Sequence, residues 1–165
     1  MEPRKSEMKS YLSFARRTAR GAGKILADGF GRTKHVNYKG VIDPVTQFDL
    51  KSEKHIISNI TRRFPDHTVL AEEGSGNRTE SSYQWVVDPL DGTVNYAHGF
   101  PVYSVSIGLQ YNGQGIVGVV YDPESGEMYS AARGLGAYLN KKRMRVSSQK
   151  VLRRSLLATG FAYNI

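Results

Sequence analysis

The segment Trp85-Val-Val-Asp-Pro-Leu-Asp-Gly-Thr-Val-Asn-Tyr96 joins an apolar strand to a compact set of polar residues, and it decides how the chain is interpreted. The apolar run Gln84–Val87 predicts a strand that ends at Asp88. Pro89 fixes its own φ and biases Asp88 toward extended backbone, so the carboxylate projects rigidly from the strand end. Gly92 then allows the backbone to turn sharply.

Two carboxylates flank this predicted turn. Asp88 and Asp91 lie three residues apart and can converge on one point, where two like charges are tolerable only with a cation or proton between them. Hard oxygen ligands select Mg²⁺, Mn²⁺ or Ca²⁺ over zinc, and the Leu90 carbonyl is a natural further ligand. The Thr93 hydroxyl and the N–H groups of Gly92 and Thr93 suit a phosphate oxygen. The alternative is a plain turn, because Asp-Pro and Asp-Gly are common turn formers.

Other acidic residues extend the pattern. Glu72 and Glu73 follow a second apolar run, and neighbouring strand ends would present them to the same edge as Asp88. Asp49 lies three residues after Thr46, a spacing typical of a capping box, so its carboxylate is interpreted either as a helix cap or as a catalytic group.

The amino-terminal part of the chain has helical periodicity. Apolar residues at spacings of three and four predict an amphipathic helix from Met8 to about Gly29, with the stripe Leu12, Ala15, Ala19, Ala22, Leu26 and Phe30. A second helix is predicted over 48–64, with Thr46 as its N-cap and Pro65 closing it. Its apolar side is predicted to carry Leu50, Ile57, Ile60 and Phe64.

The remainder of the chain is typical of strands. Asn112-Gly113 is a strong hairpin signal, and 122–126 predicts a turn into a further strand. The other predicted strands are Thr68–Ala71, Gln84–Val87, Tyr103–Gln110, Gly115–Tyr121, Gly136–Leu139 and Ser155–Ala158. Helices followed by an antiparallel run of strands indicate an α+β fold, with two helices packed on a largely antiparallel sheet.

Composition excludes several classes of protein. The 165 residues are 39% hydrophobic and 23% charged, which excludes a disordered chain, and no apolar run approaches the ~20 residues of a membrane span. The absence of cysteine excludes a thiolate nucleophile and any zinc-thiolate site. The first ten residues lack the apolar region of a secretory signal, so we expect a cytoplasmic protein with no membrane partner.

The net charge of +8 is unevenly distributed. Residues 1–39 hold ten Lys and Arg against three acids, and 141–154 hold seven against none. Residues 40–140 hold six basic and twelve acidic residues, and an acidic centre favours a protein that binds cations. The rival hypothesis from another class is an RNA- or protein-binding module that uses the basic segments 1–39 and 141–154, and on this distribution a nucleic acid partner is not favoured.

Three blocks of sequence resemble the inositol monophosphatase family of the Mg²⁺-dependent, lithium-sensitive phosphatases. They are Asp43-Pro-Val-Thr-x-x-Asp49, Leu70-Ala-Glu-Glu-Gly74, and the 85–96 segment followed by Phe100-Pro101 and Ser104-Val-Ser-Ile-Gly108. The resemblance implies a layered α/β sandwich of the sugar-phosphatase type. It also implies a phosphomonoesterase that hydrolyses inositol monophosphates or related small polyol phosphates with metal-activated water. The implied cofactor is Mg²⁺, with Mn²⁺ as a substitute, and the alternative within the superfamily is a fructose-1,6-bisphosphatase-like or dual-specificity enzyme.

The same resemblance implies roles for individual residues. Glu72, Asp88 and the Leu90 carbonyl would hold a first metal, and Asp88 and Asp91 would share a second. Thr93, oriented by Asp49, would position the attacking water and help to deprotonate it, so these two are the candidate catalytic residues. Glu73 would support the ligands from behind, and Lys39 would lie on a loop near the metals. The implied substrate-binding residues are Glu72, Leu90, Asp91, Gly92 and Thr93.

The resemblance covers essentially the whole chain but only the amino-terminal part of the family's pattern. Family members continue into a second α/β layer, where a Trp-Asp block supplies an aspartate to the second metal, and we expect that layer to be missing from this chain. We therefore expect a metal-binding α+β phosphatase domain over 1–155 and the start of a truncated carboxy-terminal α/β domain over 156–165. The 165-residue chain is expected to be inactive by itself, and the intact protein is expected to form a homodimer.

Overall fold

The structure is a computed structural model that describes residues 3–32, 36–38, 44–77 and 79–159. Helix α1 spans Lys5–Gly29, α2 spans Gln47–Arg63 and the short α3 spans Thr93–Ala97. The strands are β1 (Val36–Tyr38), β2 (Pro44–Thr46), β3 (Thr68–Ala71), β4 (Tyr83–Asp91), β5 (Ser104–Tyr111), β6 (Gln114–Asp122), β7 (Glu127–Ala132), β8 (Gly136–Leu139) and β9 (Lys142–Arg143).

In the described part of the chain, seven strands form one open sheet in the order β3-β4-β5-β6-β7-β8-β9. The β3–β4 pair is parallel and each later pair is antiparallel. Strands β1 and β2 form a separate antiparallel pair immediately before α2. The expected α+β fold with a largely antiparallel sheet is confirmed.

Both long helices pack on one face of this sheet. Helix α1 contacts β5, β6 and β7, whereas α2 contacts α1, β3 and β4. The predicted stripe of α1 is confirmed, because Ala15, Ala19, Ala22 and Leu26 are fully buried. Side chains of β5 alternate between buried and partly exposed positions, as expected for a strand with one covered face.

The opposite face of the sheet is partly apolar and open to solvent in the described chain. The strand register places Leu70, Val120 and Tyr129 on this face, where they are 51%, 40% and 37% exposed. The same register also places Asp88 there, two residues beyond Val86 along β4.

The predictions about the apolar face of α2 and about the last strand were wrong. Leu50 is 49% exposed, because the buried face of α2 begins with the polar residues Asp49, Ser52 and Glu53. The segment Ser155–Ala158 is not a strand: it follows a short 3-10 turn over Leu152–Arg154, and it is exposed with no strand partner among the described residues. The expected second domain at 156–165 lies partly outside the described residues, so its boundary stays a prediction.

None of the helices within the described ranges has the length and apolar character needed to cross a membrane.

A cluster of aromatic rings closes the core where α1, the end of α2 and β4 meet. His67 stacks between Phe64 and Tyr83, with ring centroids 4.9 and 4.5 Å away. The indole N–H of Trp85 donates to Nδ1 of His67 at 3.1 Å, so this nitrogen carries no proton in the folded protein. Burial lowers the pKa of His67 below its ordinary value of 6.5, against a weaker opposing effect of the Asp66 charge.

We predict that His67 makes the fold acid-sensitive. Because its folded pKa lies below its unfolded value, the stabilisation is complete above about pH 6.5 and is lost as the pH falls below that value and through the folded pKa. His67→Gln keeps an acceptor for Trp85 but does not titrate. The unfolding free energies of wild type and variant, measured with urea from pH 7.5 to 5.0, should therefore converge as the pH falls. A difference that stays constant over this range would contradict the prediction.

Candidate active site

A β-bulge in β4 brings two acidic side chains to the same face of the sheet. Asp88 pairs with Ser106 and Asp91 pairs with Ser104, so three steps along β4 correspond to two steps along β5. In a regular strand, residues three apart point to opposite faces, and the extra residue of the bulge cancels this alternation. The predicted strand end at Asp88 is therefore wrong, because β4 continues to Asp91. The bulge places both acids on one face of the sheet, and their convergence on a single cation stays a prediction.

The parallel strand β3 delivers Glu72 beside Asp88. The backbone N–H of Glu72 donates to the Val87 carbonyl at 3.2 Å, which continues the β3–β4 pairing one residue beyond Ala71. Burial, a hydrogen bond with Glu72 and the negative charges of Glu72 and Asp91 raise the pKa of Asp88 to about 8. The fold thus assembles carboxylates that repel one another, which is a costly arrangement unless a cation or proton is held there.

Backbone carbonyl groups of the bulge are also held in place. The Ser52 hydroxyl on α2 donates to the Pro89 carbonyl at 2.8 Å, and the Leu90 N–H donates to Oδ1 of Asp88 at 3.1 Å. The Leu90 side chain is 1% exposed, so it anchors the bulge in the core. The Leu90 carbonyl accepts the Thr93 hydroxyl at 3.0 Å and lies between the two acids in sequence.

Gly92 makes the connection from β4 to α3. Its φ of +91° lies in the left-handed region, and a Cβ at this position would lie 2.9 Å from the Val102 carbonyl oxygen. Glycine therefore suits this position, because it adopts the left-handed backbone conformation easily and has no Cβ to clash with the Val102 carbonyl. Thr93 follows as the first residue of α3, directly beyond the bulge that carries Asp91.

Asp49 acts as a helix cap and also contacts Thr93. A role as cap and a role as catalytic group are therefore compatible interpretations of its carboxylate. Its Oδ2 accepts the Thr46 N–H at 2.9 Å and the Thr46 hydroxyl, which completes the capping box of α2. Its Oδ1 accepts the Thr93 hydroxyl at 3.1 Å. The Asp49 side chain is 1% exposed, and burial raises its pKa against the opposing effect of hydrogen bonds from Thr46 and Thr93.

Glu53 is a buried acid that the sequence analysis missed. It lies one helical turn after Asp49, is 1% exposed, and accepts the backbone N–H groups of Glu73 at 2.8 Å and Ser75 at 3.2 Å. Its spacing from Ile56 and Ile60 places it on the buried side of α2, and an acid at such a position is the signal that could have identified it. Glu73 contacts Glu53 through its backbone N–H, and its support of the ligands stays a prediction.

The structure brings together Glu72, Asp88 and the bulge, whereas Lys39 and Asp43 lie outside the described residues. Within the described ranges, no group of three or more His, Asp or Glu side chains converges as a ready-made cation cage. The donors nevertheless fit a hard divalent cation, because they are carboxylates and a carbonyl, and because Asp88 already experiences the repulsion that a cation would relieve.

Known proteins are similar in sequence to this chain over nearly its whole length. The family model "Inositol monophosphatase family" matches residues 7–164. Inositol monophosphatase 3 of Solanum lycopersicum is 43% identical over 92% of this chain and 58% of its own length. The Nus factor SuhB of Haemophilus influenzae is 43% identical over 94% and 60%, and the fructose-1,6-bisphosphatase/inositol-1-monophosphatase of Aquifex aeolicus is 42% identical over 93% and 59%.

The comparison of three-dimensional structures finds the same family of proteins. The inositol monophosphatase structure from Anabaena matches with a TM-score of 0.83 and 40% identity, over 95% of this chain and 57% of that one. The Thermotoga maritima IMPase structure matches with a TM-score of 0.79 and 36% identity, over 84% and 54%. The chain thus spans somewhat more than half the length of the relatives it matches. By its sequence over residues 7–164 and by its fold, the chain belongs to the inositol monophosphatase family.

Proposed function

We propose that the protein is a Mg²⁺-dependent phosphomonoesterase that hydrolyses inositol monophosphates or related small polyol phosphates. The observation that carries the proposal is the Thr93 hydroxyl, which lies 3.1 Å from the buried Asp49 carboxylate and 3.0 Å from the Leu90 carbonyl, next to the carboxylates of the bulge. This arrangement combines a proton acceptor, a hydroxyl and hard oxygen ligands in one place.

In this proposal Glu72, Asp88 and the Leu90 carbonyl would hold one cation, and Asp88 and Asp91 would hold a second. Mg²⁺ is the expected ion and Mn²⁺ its substitute, because both prefer oxygen ligands. The bound cations would lower the pKa of water and neutralise charge on the phosphoryl and leaving oxygens. The remaining steps are carried by side chains of the chain itself.

Thr93 and Asp49 are the proposed catalytic pair. A hydroxyl carries one hydrogen, so Thr93 donates to either Asp49 or the Leu90 carbonyl, and its lone pairs are free to accept a hydrogen bond from a water molecule. With its hydrogen donated to Asp49, the Thr93 hydroxyl would accept a hydrogen bond from the attacking water. The raised pKa of Asp49 makes it a stronger proton acceptor than a free aspartate, so the water proton passes through Thr93 toward Asp49.

The phosphate is proposed to bind where the cations and the start of α3 meet. Its proposed contacts are Glu72, Leu90, Asp91, Gly92 and Thr93. Fructose 1,6-bisphosphate is the second candidate substrate, because a relative at 42% identity is named as both a fructose-1,6-bisphosphatase and an inositol-1-monophosphatase. A homodimer of the full protein is a further part of the proposal.

The first prediction of this proposal concerns the metal. Phosphate release from inositol 1-phosphate by the full-length protein should require Mg²⁺, should stop in excess EDTA and should return when Mg²⁺ exceeds the chelator. EDTA saturated with Mg²⁺ beforehand is the control for effects of the chelator itself. Parallel assays with fructose 1,6-bisphosphate give the ratio of kcat/KM values that ranks the two substrates. Undiminished turnover in excess EDTA would exclude the metal mechanism.

A second prediction separates cation binding from catalysis. Asp88→Asn should weaken Mg²⁺ binding at least 10-fold, since Asp88 is proposed to bridge both cations. Thr93→Ala should leave Mg²⁺ affinity within about twofold but lower kcat by roughly 10²–10⁴-fold, the usual range for a proton-transfer group. Calorimetric titration and phosphate release measure the two effects.

Matched controls exist on the same chain. Thr61→Ala removes a hydroxyl that donates to the Ile57 carbonyl within α2, and Asp66→Asn removes an exposed carboxylate in the turn between α2 and β3. Both controls should behave as wild type. Equal loss of Mg²⁺ binding in Asp88→Asn and Thr93→Ala would mean that Thr93 has a structural role, and the catalytic assignment would then be wrong.

A further inference from the structure

The loop after β3 is attached to α2 through a buried carboxylate. We propose that Glu53 is a positioning residue, which fixes the backbone around Glu72 and so sets the direction of the Glu72 side chain toward Asp88. The inference rests on the proposed function, because it takes Glu72 as a cation ligand. It adds a residue whose effect on the site would be exerted through the backbone of the loop.

The Glu53 carboxylate is held by backbone N–H groups of the turn after β3. Its two carboxylate oxygens accept different amides, Oε2 from Glu73 at 2.8 Å and Oε1 from Ser75 at 3.2 Å. Neither ion pair among the described residues, Arg4–Glu7 and Lys24–Asp28, includes Glu53, and the partners that the structure shows for its carboxylate are backbone N–H groups. A carboxylate that is 1% exposed is stable in such a place only while these bonds are made.

Hydrogen bonds fix both peptide groups that flank Glu72, and Glu53 makes one of them. The peptide before it donates from the Glu72 N–H to the Val87 carbonyl at 3.2 Å. The peptide after it contains the Glu73 N–H, which is the group that Glu53 binds. Because φ and ψ of Glu72 are set by the orientation of these two peptides, its Cα–Cβ direction follows from one bond to β4 and one bond to α2.

The remainder of the loop returns to β3 and closes the turn. The Gly74 N–H donates to the Ala71 carbonyl at 3.3 Å, with Gly74 at a φ of +87°. The Val69 N–H donates to Oδ1 of Asn77 at 2.8 Å, so the loop lies against its own strand. Glu53 holds the middle of this loop, at Glu73 and Ser75.

Glu53→Gln tests the inference with little change in side-chain shape. Glutamine offers one acceptor oxygen, and its NH₂ group would face the second N–H, so one of the two bonds is lost and two donors oppose each other. In the metal-free variant, the amides of Glu73 and Ser75 should exchange with solvent at least 10-fold faster than in wild type. Affinity for Mn²⁺, measured by EPR titration, should fall about 10-fold, the lower end of the effect of losing a residue that orients a ligand.

Two controls separate positioning from general effects. Glu80→Gln removes an exposed acid in the same loop and tests the effect of net charge. Ile56→Val removes one buried methylene from the same helix and tests the effect of a destabilised α2. Both should retain wild-type Mn²⁺ affinity and wild-type exchange at Glu73 and Ser75.

The outcomes distinguish this inference from the proposed function. Wild-type Mn²⁺ affinity in Glu53→Gln would contradict the inference alone. Failure of the wild-type protein itself to bind Mn²⁺ would contradict both. If Glu53→Gln does not fold, exchange in the wild-type protein decides: protected Glu73 and Ser75 amides support the inference, and exchange at the rate of an unstructured peptide overturns it.

Discussion

The hydrogen bonds made by the buried polar side chains of α2 are the constraint on which the candidate site depends. Asp49, Ser52 and Glu53 occupy helix positions where apolar residues would ordinarily pack. Each binds a different segment: Asp49 binds Thr93, Ser52 binds the Pro89 carbonyl, and Glu53 binds the loop after β3. One helix therefore fixes the positions of the Thr93 side chain, the Pro89 carbonyl and the loop after β3 relative to one another.

This arrangement has an energetic cost that the hydrogen bonds offset. A buried carboxylate without partners costs several kcal/mol, and a hydrogen bond to a charged group returns about 1.5–3 kcal/mol. Asp49 accepts from the Thr46 N–H, the Thr46 hydroxyl and the Thr93 hydroxyl, and Glu53 accepts from two amides. At Asp88, burial, a hydrogen bond with Glu72 and the like charges of Glu72 and Asp91 raise the pKa of the carboxyl. The electrostatic repulsion between carboxylates is thus greatest at the bulge, where the proposed cations would bind.

The sequence predicts the parts of the structure that follow from periodicity. The stripe of α1, the cap at Thr46 and the hairpin at Asn112-Gly113 depend on local patterns, and each is found. The bulge in β4 was not predicted, because a bulge is defined by pairing with β5 and no local signal separates it from a turn. Leu50 was misplaced for the opposite reason: tertiary contacts of Asp49 and Glu53 override the hydrophobic pattern of α2. Glu53 was missed because an acid in a helix is ordinarily read as a solvated residue.

The most direct test of the account is to locate a cation in crystals of the protein by the anomalous scattering of Mn²⁺. The account predicts a peak about 2.0–2.6 Å from carboxylate oxygens of Glu72 and Asp88 and from the Leu90 carbonyl oxygen, on the face of the sheet opposite α1 and α2. Asp49 should remain outside that coordination shell and bonded to Thr93. A peak bound by other residues, or no peak at the bulge when Mn²⁺ is present in excess, would contradict it.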